Sequence, residues 1–287
     1  MTMVNASAVQ TPDGFQYVRA RTVDQAVAQL AADAIVIAGG TVLTPEVARE
    51  GREGHFVDIA GIAGIAPLRE LRVDAHGASI GALVSNDEIS GRAELARDYL
   101  ALSKAAGWIG NPHVRRAGTI GGNLVWALPR ACLPPALLAL DAEVNLRSVQ
   151  GVSTQPVSQL LSNGLPPRTL LVSVQLPPPA GRRSGYVKYA WRRATAMALV
   201  IVSVSARRDA AGVLLEPRVA VGGLCRARRL PTAEGMLAGH KLHGALIDEV
   251  ARAAAAEPPF EETGTAPGET FRRRLVATGV RQLLAEI

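Results

Sequence analysis

A chain of 287 residues, 48% of them apolar and without a low-complexity tract, is long enough for two or three subdomains with cores of their own, which excludes a disordered polypeptide. Its formal charge of +6 comes from scattered arginines (Lys104, Lys188 and Lys241 are the only lysines), and aromatics are 4%; this argues against nucleic acid and favours acidic protein partners. No stretch reaches the roughly 20 apolar residues of a membrane span, Met1–Gly14 lacks a secretory pattern, and two cysteines make neither a disulfide framework nor a cluster site, so the expected compartment is cytoplasmic.

Along the chain, Phe15–Arg19 reads as extended, and Thr22 caps a helix to Ala32 whose apolar stripe is Val23, Ala26, Val27 and Leu30. Ala34–Ala38 is a short buried strand running into Gly39-Gly40, followed by a brief helix over Thr44–Glu50 and a strand over Phe56–Ile59. A turn at His76-Gly77 between Leu71–Ala75 and Ala78–Gly81 predicts a hairpin. Asn86–Gly91 and the longer Glu94–Ala106 are predicted helices. Arg115–Gly118 leads into a second glycine loop that does not obviously open a helix, and Leu133–Leu140 fits either helix or strand. Ala142–Arg147 is a strand ending in a turn at Gln150-Gly151. The strand Leu170–Leu176 stops at Pro177–Pro179, and with the polar piece Ala180–Ser184 this marks a domain boundary. Beyond it, Gly185–Trp191, Leu199–Ala206 and Pro217–Val221 predict a three-stranded antiparallel sheet, closed by helices over Leu246–Ala256 and Phe271–Leu284. The order of elements is α+β.

Two glycine pairs carry most of the functional information: I-A-G-G-T-V-L, Ile37–Leu43, and R-R-A-G-T-I-G-G-N-L, Arg115–Leu124. Glycine lets the main chain approach a ligand, and consecutive turn amides can converge on phosphate oxygens. Either loop alone reads as an ordinary tight turn. Two of them about eighty positions apart, with Thr41, Thr119 and Asn123 as side-chain donors, suggest a dinucleotide gripped from two sides. Neither G-x-G-x-x-G nor G-x-x-x-x-G-K-[ST] is present. The histidines His55, His76, His113, His240 and His243 are scattered, and His240 and His243 sit beside glycines on loop surface. Cys132 and Cys225 read as small buried hydrophobes. No metal site and no catalytic residue is therefore expected; phosphate loops without an acid/base cluster describe a cofactor carrier.

These residues resemble the FAD-binding (medium) subunit of molybdenum hydroxylases, the group of carbon monoxide and xanthine dehydrogenases. Ala38–Leu43 is similar to the family's A-G-G-T-x-L loop, and Gly118–Leu124 matches G-T-I-G-G-N-L throughout. Leu133–Val144 is also typical. Tyr186-Val187-Lys188 with Arg192 resembles a K-x-x-x-R strand, and Val219–Leu224, Glu234–Leu242 and the F-R-R-R-L ending at Leu275 resemble the C-terminal domain. The resemblance implies a two-subdomain FAD-binding domain (PCMH/vanillyl-alcohol-oxidase-like) over 1–177, split near 55–60, and a C-terminal flavoprotein domain over 183–287. It implies FAD held by Ala38, Gly39, Gly40, Thr41, Val42 and Leu43 and by Gly118, Thr119, Ile120, Gly121, Gly122 and Asn123. Lys188 would stand near the isoalloxazine ring; by itself it reads as a solvated strand residue. It also implies electron relay within a dimer of heterotrimers, from a molybdopterin centre in a large subunit, through 2Fe-2S clusters in a small one, to FAD here and on to an external acceptor.

The chain departs from the family pattern after Asn123. Trp126, Leu128 and Cys132 stand where a histidine and two acids are common, and Val42 and Ala196 stand where acids often occur. Trp126 suits stacking on the cofactor or core packing. Three readings therefore stay open: the FAD subunit, a free-standing flavoenzyme, and an assembly module that keeps the fold with weakened or lost flavin binding.

Overall fold

The hydroxyl of Thr22 accepts the Gln25 amide at 3.1 Å and starts helix α1 (Val23–Gln29). The helix is shorter than expected because Leu30 leaves helical geometry, its amide turning back to Val27 O at 3.2 Å. The structure, a computed structural model, describes residues 15–31, 33–51, 53–61, 68–192, 196–261 and 267–287; the opening of the expected first domain and the expected helix end at Ala32 lie outside these residues. Strands β1 (Phe15–Arg19), β2 (Ile35–Ile37) and β3 (Gly54–Asp58) form a small parallel sheet with β3 in the centre, Tyr17 and Ile35 both in register with Phe56. Helix α2 (Leu43–Glu50) joins β2 to β3. Parallel pairing demands such crossovers, and these place the end of β2 and the start of α2 at one edge of the sheet.

The second subdomain begins with the predicted hairpin of β4 (Leu71–Asp74) and β5 (Gly77–Gly81). A helical run follows: α3 (Asn86–Gly91), α4 (Ala93–Asp98) and α5 (Leu100–Gly107). The expected single helix over Glu94–Ala106 is broken at Tyr99, whose buried hydroxyl donates to Pro177 O at 2.7 Å. Next come α6 (Pro112–Ala117), capped by the Asn111 side chain with proline at its first position, then α7 (Ile120–Trp126) and α8 (Leu133–Ala139). The ambiguous Leu133–Leu140 segment is thus helical. Strands β6 (Glu143–Ser148) and β7 (Gly151–Pro156), helix α9 (Val157–Asn163) and strand β8 (Leu170–Leu176) complete a five-stranded antiparallel sheet in the order β4-β5-β8-β6-β7.

Beyond the prolines, β9 (Arg183–Ala190), β10 (Ala198–Arg208) and β11 (Leu214–Gly222) pair antiparallel as expected. A short fourth strand that the sequence reading missed, β12 (Arg228–Arg229), extends the sheet to the order β12-β11-β10-β9. Helices α10 (Pro231–Leu237), α11 (Gly244–Ala256) and α12 (Glu269–Glu286) follow. Strand β10 is buried without a break from Ala198 to Ala206, because α12 covers one face of the sheet and α8 of the preceding domain covers the other. Burial of Val200, Val202 and Val204 contributes on the order of 1.5–3 kcal/mol each.

Polar contacts fix this seam. Asp141 accepts from Arg218 Nε at 2.9 Å and Arg229 Nη1 at 3.0 Å, and Tyr186 Oη donates to Cys132 O at 3.2 Å. Burial, with Cys132 second, holds the Tyr186 phenol well above its usual range, so it stays a donor. Among the described residues, no helix is long and apolar enough to cross a membrane.

Candidate functional site

Strand β2 delivers the chain into the first glycine loop, and α2 begins where that loop ends. Alanine cannot replace Gly39 without disturbance, since a β-carbon there would stand 1.8 Å from the carbonyl oxygen of Ala117. Gly40 has φ +63°, in the left-handed region. Among the described residues, the amides of Gly39, Gly40, Thr41 and Val42 donate to no protein acceptor. Consecutive open amides at a turn can converge on an anion, and all four residues line the cavity between the two loops.

The second loop is built differently. Contrary to the sequence reading, it does open a helix: Thr119 is the N-cap of α7, and its hydroxyl accepts the Gly122 amide at 3.1 Å. Most of its amides are already engaged within the protein. Gly118 N donates to Val114 O at 2.7 Å, Ile120 N to Val84 O at 3.1 Å, Gly121 N to Ala82 O at 3.0 Å and Asn123 N to Thr119 O at 3.0 Å. The two loops are therefore not equivalent: the first presents donors, and the second is a rigid wall that holds the first in place. They touch directly, through Gly39 against Ala117 and through Thr41 against Gly118.

Between them lies a cavity of about 590 Å³, within the range of roughly 300–1,000 Å³ typical of ligand pockets. It extends from β2 across both loops to β9. Every sequence-predicted site residue lines it except Ile120, whose fully buried side chain points into the core. Lys188 is not the solvated strand residue that its local sequence describes. It is 8% exposed, and its ammonium donates to Trp108 O at 3.1 Å at the cavity wall. Arg192 is exposed and stays off the wall.

The wall carries Arg130, Arg168 and Lys188 and, among the described residues, no aspartate or glutamate. Net positive charge in a concave, low-dielectric site draws in anions. All five positions where the sequence departs from the polar pattern of the family it resembles fall on this wall: Val42, Trp126, Leu128, Cys132 and Ala196. Two lining residues have buried polar atoms without a partner: Asn86 Oδ1, which the sequence did not single out, and Nε1 of Trp126, which the sequence suits to stacking on the cofactor or to core packing. A buried polar atom left unpaired costs about 1–3 kcal/mol, so both atoms are suited to a ligand. Open amides, three cations, no carboxylate and two unpaired polar atoms fit a phosphate-bearing cofactor rich in hydrogen-bonding groups.

Fold and site together define a two-domain α+β protein built around one cationic cleft with open backbone amides. The chain belongs to the FAD-binding flavoprotein subunits of molybdopterin dehydrogenases. Residues 13–179 match the family model of the FAD binding domain in molybdopterin dehydrogenase, and residues 185–287 match that of the CO dehydrogenase flavoprotein C-terminal domain. Over 96% of its length, and 95% of the relative's, the chain is 33% identical to 6-hydroxypseudooxynicotine dehydrogenase complex subunit alpha of Paenarthrobacter nicotinovorans. It is 26% identical to the carbon monoxide dehydrogenase medium chain of Afipia carboxidovorans, covering 94% of this chain and 96% of that one. Its fold superposes on a chain of carbon monoxide dehydrogenase from Hydrogenophaga pseudoflava with a TM-score of 0.86 and 25% identity, covering 96% and 98% of the two chains. The protein is an FAD-binding medium subunit, a component of an oxidoreductase.

Proposed function

We propose that this subunit relays electrons, taking them from 2Fe-2S clusters in a small partner subunit, themselves supplied by a molybdopterin centre in a large one, and passing them to an external acceptor. FAD, when bound, supplies the redox chemistry, exchanging electrons singly or in pairs. The reading rests chiefly on one observation: two glycine loops meet across a single cavity that has open amides and, among the described residues, three cations and no lining carboxylate.

In this reading the amides of Gly39–Val42 hold the diphosphate, with Ala38 and Leu43 framing them. Gly118, Thr119, Gly121, Gly122 and Asn123 form the opposite wall, and Ile120 anchors that wall from the core. Lys188 holds positive charge where negative charge develops on reduction. Pro177–Pro179 divide an FAD-binding domain over 1–177 from a C-terminal flavoprotein domain over 183–287, a division supported by the spans of the two family matches. The assembly is a dimer of heterotrimers in the cytoplasm, without nucleic acid.

The test is a flavin spectrum of the purified full chain after incubation with FAD and gel filtration, followed by mixing with the reduced 2Fe-2S subunit. Stoichiometric flavin that is bleached by the reduced partner, with no turnover of organic substrate by the chain alone, is the expected result. Substrate oxidation by the isolated chain would overturn it. Val42, Leu128, Cys132 and Ala196 on the wall favour one second reading, a fold-retaining assembly subunit; absence of bound flavin would select it.

A further inference from the structure

We propose that Asn86 is a ligand-binding residue of the cleft, its carboxamide oxygen accepting a hydrogen bond from a sugar-type hydroxyl adjoining the cofactor's diphosphate. The inference rests on the FAD reading of the cleft.

Asn86 is the first residue of α3, and local structure leaves it little freedom. Ser85 and Glu88 close a capping box around the helix start. The Asn86 amide donates to Gly118 O at 3.0 Å, which ties it to the second loop. The side chain is only 2% exposed and lines the cavity. Its Nδ2 lies 3.0 Å from the point where a β-carbon on Gly118 would sit, and the Thr41 hydroxyl lies 3.3 Å from the same point. The carboxamide is therefore held where the two loops cross, beside the open amides of Gly39–Val42.

Elimination identifies its partner. Among the described residues no carboxylate lines the cavity. Asn123 Oδ1 already accepts the Leu133 amide at 3.2 Å, and the Thr119 hydroxyl already accepts the Gly122 amide. The Thr169 hydroxyl donates to Pro167 O at 3.1 Å. Among the described residues, Asn86 Oδ1 is thus the side-chain carbonyl acceptor on the wall without a partner. An acceptor needs a donor, and an ionised diphosphate has none; its complement is the row of open amides. The donors that flank the diphosphate in FAD are hydroxyls, ribose on one side and ribityl on the other. A hydroxyl donates to Oδ1 and can accept from Nδ2, so one carboxamide satisfies it. With Val42, Leu128, Cys132 and Ala196 on the wall, this contact adds a carbonyl acceptor for a hydroxyl to the donors that Thr41 and Trp126 supply.

The test compares the parent full chain with Asn86→Ala and Asn86→Asp, titrating FAD by quenching of flavin fluorescence and recording thermal unfolding without ligand. Asn86→Ala should raise the FAD dissociation constant about tenfold, the equivalent of one lost hydrogen bond, without lowering the ligand-free melting temperature, since the deleted oxygen has no partner there. Asn86→Asp keeps an acceptor and should stay within about threefold of the parent. Competition by FMN, which has the ribityl chain alone, and by ADP, which has the ribose alone, assigns the hydroxyl: the ligand weakened by Asn86→Ala carries it. FAD affinity unchanged in Asn86→Ala overturns the inference. So does Asn86→Asp binding as weakly as Asn86→Ala, because charge repulsion would then place phosphate at this side chain. A parent chain without FAD affinity overturns the FAD reading itself, and the inference with it.

Discussion

Replacing Gly39 with alanine places a methyl carbon 1.8 Å from Ala117 O, 2.6 Å from the carbonyl carbon of Ala117 and 3.1 Å from Gly118 Cα. All three are backbone atoms, so no side chain can swing aside. To reach an ordinary contact the two loops must part by about 1.6 Å. Overpacking of this kind typically costs about 1–3 kcal/mol. At about 2–4 °C per kcal/mol for a chain of this size, the melting temperature should fall by roughly 2–12 °C. The same movement carries the Gly39–Val42 amides away from the opposite wall, so FAD affinity should fall more than tenfold. Gly51→Ala is the control. Gly51, unlike Gly39, has positive φ, +60°, and nothing lies within 4 Å of its would-be β-carbon. It should lose about 1–2 kcal/mol to backbone strain and keep parental FAD affinity. Differential scanning fluorimetry and FAD titration on both variants decide the matter. Parental stability and affinity in Gly39→Ala, or equal loss of affinity in the two variants, would refute the argument that the loops grip one ligand by touching each other.

Three further outcomes follow from the same geometry. Lys188→Met removes a buried wall cation and should lower the bound flavin's midpoint potential by about 30 mV, or about 1.4 kcal/mol for a two-electron couple; a spectroelectrochemical titration that finds it unchanged or raised contradicts this. The Arg272 side chain is 1% exposed, hydrogen-bonds Leu199 O and Gly223 O, and lies 5.1 Å from the Phe260 ring. Arg272→Ala strands those carbonyls and should cost about 2–5 kcal/mol, read as a lower urea midpoint; a surface-like change below about 0.5 kcal/mol refutes the role. Finally, burial pushes the Cys225 thiol from 9.0 to about 11 and the Tyr99 phenol from 10.0 to about 12. Both groups stay protonated in the fold while the unfolded chain ionises first. Their contribution to stability is therefore complete below pH 9 and is lost as pH rises through 11 to 12. Denaturation curves at pH 8 and pH 10.5 should show the loss, and Cys225→Ala should reduce it; identical pH dependence in that variant contradicts the assignment.

Local pattern made much of the fold legible. The hairpin at His76-Gly77 and the β10 strand came from alternation, turn residues and an apolar run, which are properties of neighbouring positions. The break at Tyr99 was not legible, because the helical stripe is continuous there, while the Tyr99 hydroxyl reaches a distant acceptor, Pro177 O. Helices α6 and α7 had signals in Asn111-Pro112 and in Thr119, but Gly121-Gly122 lowers helix propensity and obscured them. Strand β12 is two arginines long and has no pattern to read. In the cleft, the sequence exposed both loops as motifs but not their inequality, which depends on which amides find partners in Ala82, Val84 and Val114. It also gave Lys188 a solvated place, since the burial of its ammonium is set by α5 and Trp108, eighty positions earlier. Asn86 was invisible for the same reason: an unpaired oxygen is a property of its surroundings, not of its residue type.

The central claim is that Gly39–Val42 hold a diphosphate against the wall formed by Gly118–Asn123. A crystal structure of the full chain grown with FAD tests it most directly. The account predicts continuous cofactor density through the cleft, with diphosphate oxygens within hydrogen-bond distance of the Gly39–Val42 amides and the ring end beside Lys188. Cofactor density outside the cleft, or an adenine or flavin ring in place of the diphosphate at those four amides, would contradict it.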